Sequence, residues 1–297
     1  MPNRIAVVDF SWCLHRFRHA YNDLSYEVDG KVIPTGHIYG TFKFINELSD
    51  SYKRVILAVD SNPTIRKEIL STYKSNRKKE ETESFENYDV HKDSDNVLAL
   101  CCSFGNVLYI KEDGYEADDI IGTLIRKANK DWDFYFRDDD ILQNVGEYNL
   151  CVTFGKEIHT GYPVSIRDHL IEKYGLNLDS LPILWKVVKG DSGDCIPIGI
   201  ERFSSKILVE LCMDKRIQGN DVSFESIVEV LLGAMETYGP KLKEAVGQLR
   251  NASSTLYKKL EVNYKLVKPM ILETMERRKM EVSSIEDIFK RYGLKIF

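Results

Sequence analysis

Ile5-Ala6-Val7-Val8-Asp9, Val55-Ile56-Leu57-Ala58-Val59-Asp60 and Phe134-Tyr135-Phe136-Arg137-Asp138-Asp139-Asp140 share one plan: a short run rich in Val, Ile or aromatic residues that leads into aspartate. Such runs read as buried strands. In an open α/β sheet, ligands bind in the crevice beyond the carboxyl ends of the strands. Strands ending in aspartate therefore gather acids at one edge, where repulsion is costly unless a divalent cation sits between them. Two further groups join them: Glu116-Ala117-Asp118-Asp119, which opens a helix, and Asp191-Ser192-Gly193-Asp194. Taken singly, each acid has an ordinary reading as a turn former or helix N-cap. Together, Asp9, Asp60, Glu116, Asp118, Asp119, Asp138, Asp140, Asp191 and Asp194 are nine carboxylates from five segments, which suits a two-metal hydrolytic site. Oxygen donors without His or Cys favour two Mg²⁺ ions, with Mn²⁺ as a substitute, over zinc.

Composition sets ordinary bounds. The 297 residues, 43% hydrophobic and 29% charged, can bury one large core or two smaller ones. No apolar stretch approaches the roughly 18 residues needed to span a bilayer, and Met1-Pro2-Asn3-Arg4 runs straight into the first strand, so a cytoplasmic protein is expected. The cysteines at 13, 101, 102, 151, 195 and 212 form no CxxC pair, which disfavours structural zinc. Net charge is −5, yet setting the nine acids aside leaves +4. Local distribution matters more for a nucleic-acid partner. Arg16 and Arg18 follow the first strand, and Lys74, Arg77, Lys78 and Lys79 cluster. We read a basic groove around an acidic, metal-filled centre.

Along the chain, Ser11 is positioned to cap a helix over 12–21, with a loop through Gly30 and a second helix over 37–48. Residues 66–79 begin helical and strongly basic, and 74–95 read as a mobile segment over the site. Helices follow at 97–104 and 116–128, with strands at 107–110, 133–137 and 150–154. This alternation implies a mostly parallel sheet. Beyond Ser165, helical periodicity takes over, as in Ile227, Val230, Leu231, Ala234, Met235 and Tyr238. The expected division is a nuclease domain over 1–175 and an all-helical domain over 176–297. There is no P-loop and no Gly-rich dinucleotide fingerprint.

Ala58-Val59-Asp60, Tyr73-Lys74-Ser75-Asn76-Arg77, Glu116-Ala117-Asp118-Asp119-Ile120-Ile121-Gly122 and Gly190-Asp191-Ser192-Gly193-Asp194-Cys195-Ile196-Pro197 resemble the 5′ nuclease superfamily of flap endonucleases and 5′-3′ exonucleases. They occur in the family's order and with similar spacing, and the likeness runs from Asp9 to about Leu208. Asn263-Tyr264-Lys265-Leu266-Val267 is similar to stand-alone bacteriophage enzymes, including the phage ribonuclease H type. The resemblance implies a PIN-like or resolvase-like α/β domain and a helical DNA-binding domain with a helix-hairpin-helix. It places Asp9, Asp60, Glu116 and Asp118 around one metal, and Asp138, Asp140, Asp191 and Asp194 around a second, with Asp119 close behind. Lys74 and Arg77, three apart on a helix, are to reach the scissile phosphate. Arg66 and Lys186 match basic positions that hold phosphates, and Arg16 and His19 lie where the chain emerges over the site.

Two departures from the family pattern stand out. Phe136-Arg137-Asp138-Asp139-Asp140 replaces the family's small polar pair before the third-strand aspartate, and Asp139 has no assigned role. In Ile198-Gly199-Ile200-Glu201-Arg202-Phe203-Ser204-Ser205-Lys206, only one glycine of the Gly-hydrophobic-Gly hairpin remains, leaving Arg202, Ser204 and Lys206 to contact DNA. The expectation is a metal-dependent 5′ nuclease acting on branched, nicked or primed duplex DNA and on RNA–DNA hybrids in replication or repair. It is expected to be a monomer in the infected host cell, alongside a single-stranded-DNA-binding or replication partner. The alternatives are an aspartate-nucleophile phosphohydrolase, in which Ser11 stands where a second acid is needed, and a nuclease-like DNA-binding subunit with a dead site.

Overall fold

Strand β1 (Ile5–Asp9) lies at the centre of a five-stranded parallel sheet in the computed structural model. The structure describes residues 3–28, 30–76, 88–129, 131–145, 151–153, 166–219, 221–237, 247–280 and 285–293. Strands β2 (Ser25–Val28) and β3 (Lys31–Pro34) pair as an antiparallel hairpin. The sheet itself contains β1, β4 (Arg54–Ala58), β5 (Val107–Ile110), β6 (Trp132–Phe136) and β7 (Cys151–Thr153), in the order β5-β4-β1-β6-β7. From β1 the chain builds outward through β4 and β5, then crosses to lay down β6 and β7 on the other side. The order reverses at β1, and its carboxyl end is where such a sheet opens a crevice.

The sheet is apolar on both faces, as parallel sheets with helices on each side require. Alternate residues supply the two faces. Val7, Ile56, Ala58 and Phe134 join one buried cluster, whereas Ala6, Val8, Val55 and Leu57 join the other. Each Val, Leu, Ile or Phe among them contributes about 1.5–3 kcal/mol when fully buried, so stability resides in these faces and the acidic edge is free for chemistry. Helices α1 (Phe10–Ala20), α2 (Gly36–Ser51) and α4 (Ser94–Cys102) cover the second face. A Cβ at Gly40 would lie 2.6 Å from the Phe17 ring, so glycine is what lets α2 approach α1.

The first cluster continues from α5 (Ala117–Lys127) into α6 (Ile166–Tyr174), α7 (Ile183–Lys189), α8 (Ser205–Cys212), α9 (Phe224–Thr237) and α10 (Thr255–Val267). The helices after 165 therefore share a core with the sheet. After α10 the chain returns to the N-terminal elements. Leu272 N–H donates to Thr123 Oγ1, and Arg278 pairs with Tyr109 on the edge strand. Tyr292, beside α11 (Ile285–Arg291), is buried against the second face.

Local expectations need correction in four places. Asp9, not Ser11, caps α1 by accepting the Trp12 N–H at 3.0 Å. The span before Gly30 is not all loop, because β2 and β3 form there. Helix α3 (Thr64–Ile69) stops well before Lys74, whose φ of +54° is incompatible with a continuing helix. Of the segment 74–95, Val90 is fully buried and Asp93 nearly so, so its C-terminal part is packed core. Arg77, Lys78, Lys79 and Tyr238 lie outside the described residues.

Candidate metal centre

The carboxyl ends of β1, β4 and β6 bring Asp9, Asp60 and Asp138 to one cleft, which Asp118 of α5 also lines. Each is placed by a backbone role as well. Asp9 caps α1, Asp60 Oδ1 accepts the Ala117 N–H at the start of α5 at 2.8 Å, and Asp138 Oδ1 accepts the Asp140 N–H at 2.9 Å. The capping reading and the clustering reading thus hold together. Burial and then the charges of Asp60 and Asp138 push the Asp9 carboxyl up to about 8. Desolvation, followed by repulsion from Asp138, Asp9 and Asp60, raises Asp118 well above the carboxylate range. Four oxygen-donor side chains, with Asp9 and Asp118 resisting ionisation beside the others, fit a hard divalent cation, whose charge reverses that preference.

A second group forms where the α7–α8 connection meets β6. Asp140, Asp191 and Asp194 each offer an oxygen within 4.8 Å of the others. Lys186 of α7 reaches Asp140 at 2.9 Å and Asp191 at 2.5 Å. Asp140 is still pushed up to about 7 by burial and Asp138. In Asp191, by contrast, burial is outweighed by Lys186 and by the Gly193 N–H, and its carboxyl stays below the ordinary value. Lys186, expected to hold phosphate, therefore neutralises the aspartate loop through Asp140 and Asp191. Asn263 of α10 fixes the same loop from behind, donating to Val187 O at 3.1 Å and Pro197 O at 2.8 Å.

Between the two groups stand Tyr73 and Lys74. Tyr73 Oη donates to Glu116 at 2.9 Å and to Asp194 at 3.2 Å. Lys74 Nζ pairs with Glu116 Oε1 and lies 3.7 Å from Asp194. Its backbone N–H donates to Asp194 O at 3.0 Å. That bond offsets the cost of a left-handed conformation at a lysine, on the order of 1–3 kcal/mol. Burial opposes a charged Lys74, but Glu116 and Asp194 outweigh it and hold the ammonium above its ordinary range.

Several of the predicted site residues are held by partners within the chain. Asp119 is almost wholly buried, and Arg66 grips both its oxygens at 2.6 Å, so it braces the acidic helix and is not presented as a ligand. Arg66, also buried, donates in addition to Glu116 and Leu266 O, which leaves it no reach to a phosphate in this arrangement. Glu116 lines the same cleft as Asp9, Asp60, Asp118 and Asp138 and also accepts from Arg66, Tyr73 and Lys74. Asp139, unassigned from sequence, turns away to accept from His169, Lys173 and Tyr174 of α6 at 2.6–3.0 Å. Arg16 lies beside the Trp12 ring at 6.0 Å and His19 is exposed at the end of α1. Arg202, with φ +55°, and Lys206 are exposed around the start of α8. Sequence reasoning passed over Tyr73, whose position beside Lys74 is the only signal it offers.

Comparison with known proteins bears on the fold and the family. Residues 4–175 match the model of the 5′-3′ exonuclease N-terminal resolvase-like domain. DNA polymerase I of Bacillus subtilis is 28% identical over 254 residues, covering 84% of this chain and 26% of that protein. DNA polymerase I of Lactococcus lactis is 30% identical over 225 residues, covering 71% and 24%. The chain thus spans about a quarter of these curated relatives. Among solved structures, the bacteriophage T5 flap endonuclease in complex with DNA and metal ions superposes with a TM-score of 0.61 at 18% identity, covering 89% of this chain and 88% of that one. The catalytic core of Rad2 with DNA substrate gives 0.52 at 14% identity, covering 98% and 88%. The fold is shared with both, and the family match over more than half of its length settles kinship: this chain belongs to the 5′-3′ exonuclease family with an N-terminal resolvase-like domain.

Proposed function

We propose that the protein is a divalent-metal-dependent 5′ nuclease that hydrolyses phosphodiester bonds near the 5′ end of branched, nicked or primed duplex DNA, RNA primers included. The observation that carries this reading is the convergence of Asp9, Asp60, Asp118 and Asp138 at the sheet's switch point, with Asp140, Asp191 and Asp194 beside them. Asp9, Asp60, Asp118 and Asp138 would hold one ion, and Asp140, Asp191 and Asp194 a second. Bound there, Mg²⁺ would act as a Lewis acid on the phosphate and lower the pKa of the attacking water.

The chain's own residues supply positioning and charge. Lys74, fixed between the acidic groups, presents an ammonium where negative charge grows on the phosphate, an arrangement that favours the transition state over the ground state. Tyr73 holds Glu116 and Asp194 in register, so the two groups keep their separation. Arg202 and Lys206 stand on the helical side, where a duplex backbone approaching the Asp191–Asp194 loop would meet them. Cleavage with water as nucleophile leaves a 5′-phosphate and a 3′-hydroxyl. Crowding of Asp9 against Asp60 and Asp138 suits a shared cation and disfavours Asp9 as a covalent nucleophile. The test is cleavage of a labelled 5′ flap, a nicked duplex and an RNA-primed duplex with Mg²⁺ and with chelator. Metal-dependent release from the 5′ end supports the reading, and no release from any of the three would overturn it.

A further inference from the structure

His15 of α1 and His91 belong to segments far apart in sequence, yet their Nε2 atoms lie 3.2 Å apart, with ring centroids at 5.1 Å. Both line the open cleft together with Trp12, Tyr88 and Asp89. A hydrogen bond between neutral rings is one use of that distance. A shared cation is the other: with metal–nitrogen bonds of about 2.0–2.1 Å, two imidazoles in adjacent positions on one ion place their nitrogens about 2.9–3.4 Å apart. Neither ring nitrogen has to move far to bind.

We infer that His15 and His91 form a binding site for a borderline-soft divalent cation such as Cu²⁺, Ni²⁺ or Zn²⁺, separate from the carboxylate centre. Imidazole suits these ions, whereas the oxygen-only groups suit Mg²⁺ and Mn²⁺, so the cleft carries two donor sets of different chemistry. Asp89 supports the assignment. Its Oδ1 accepts the His91 N–H at 3.0 Å, which fixes the segment bearing that ring, and its charge also acts on His15. An ion held there would join α1 to the 88–93 segment at the cleft that Asp9 and Asp138 also line.

The probe is Cu²⁺, added below one equivalent to the full chain in excess Mg²⁺ and followed by pulsed EPR, which reports imidazole nitrogen directly and does not depend on nuclease activity. The wild type is expected to show two coupled imidazoles. His15→Gln and His91→Gln, both at the protein surface, should each lose that signature and weaken binding by at least roughly tenfold, the lower end of what losing even an outer partner costs a metal site. Asp138→Asn should keep it. A wild-type spectrum without two imidazoles, or one unchanged in either histidine variant, overturns the proposal. Binding that survives His91→Gln but not His15→Gln would place the ion on the helical pair His15 and His19, and equally overturns it. Loss of the signal in Asp138→Asn would move the ion to the carboxylates and overturn it as well.

Discussion

Replacing Arg66 by methionine tests whether this residue is a structural brace or a phosphate anchor. Its guanidinium makes two 2.6 Å bonds to Asp119, one of 3.1 Å to Glu116 and one of 3.2 Å to Leu266 O. Arg66 is 6% exposed and Asp119 1%, so the substitution strands a carboxylate in the interior. Removing one partner of a buried ion pair costs about 3–5 kcal/mol. At roughly 2–4 °C per kcal/mol for a protein somewhat smaller than this one, Tm should fall by on the order of 10 °C. Denaturant unfolding in chelator, followed by tryptophan fluorescence, measures the loss without interference from metal. Arg66→Met/Asp119→Asn removes the stranded charge while keeping an acceptor for the Met270 N–H, and should recover at least about half of it. A loss below about 1 kcal/mol in the single variant, the range of exposed pairs, would refute the reasoning, most clearly if DNA affinity fell instead.

Other variants probe separate links. Lys74→Ala should lower kcat by about a hundredfold or more while leaving KM nearly unchanged; an effect confined to KM in steady-state cleavage of a 5′ flap would reduce Lys74 to a binding residue. Asp93 accepts from His37, Tyr88 and Tyr292, and although burial works against it these bonds hold its carboxyl below the ordinary value. The stabilisation is therefore complete above pH about 4 and lost as pH falls further toward the depressed folded value. Unfolding curves across that range should show wild type losing stability more steeply than Asp93→Asn, and parallel curves would contradict this. Arg202→Ala/Lys206→Ala should reduce the log–log salt slope of duplex binding by about 0.9 for each phosphate contact removed; identical slopes would mean that this part of the helical region does not hold the duplex.

The sheet is legible in the sequence because its strands are buried on both faces and carry almost no polar interruption, from Ala6 to Val8 and from Val55 to Leu57. Clustering of acids follows from parallel topology, since Asp9, Asp60 and Asp138 sit at equivalent strand ends. What a one-dimensional pattern does not encode is which neighbour each acid meets. Asp118 and Asp119 are adjacent on a helix start, yet one helix step turns the first toward the cleft and the second onto Arg66. Asp139 lies between two clustered aspartates, but its partners come from α6, 30 to 35 positions away. The β2–β3 hairpin does have a signal: Asp29-Gly30 between Tyr26-Glu27-Val28 and Lys31-Val32-Ile33, a turn pair that favours tight hairpins, with Gly30 at φ +75°. The turn carrying Lys74 reads as helix in the sequence because basic residues spaced three apart fit a helical face as readily as a held turn.

Asp138 gives the most direct measurement of the central claim, because its charge bears on Asp9, Asp118 and Asp140 at once. The experiment is single-turnover cleavage of a labelled 5′-flap duplex by wild type and Asp138→Asn at matched Mg²⁺, with affinity for the same duplex measured in parallel in chelator. Loss of cleavage in the variant, with DNA binding retained or tightened as one anion is removed from the phosphate path, is the predicted result. Undiminished turnover by Asp138→Asn at the same Mg²⁺ concentration would contradict the assignment of these carboxylates to a metal-dependent nuclease centre.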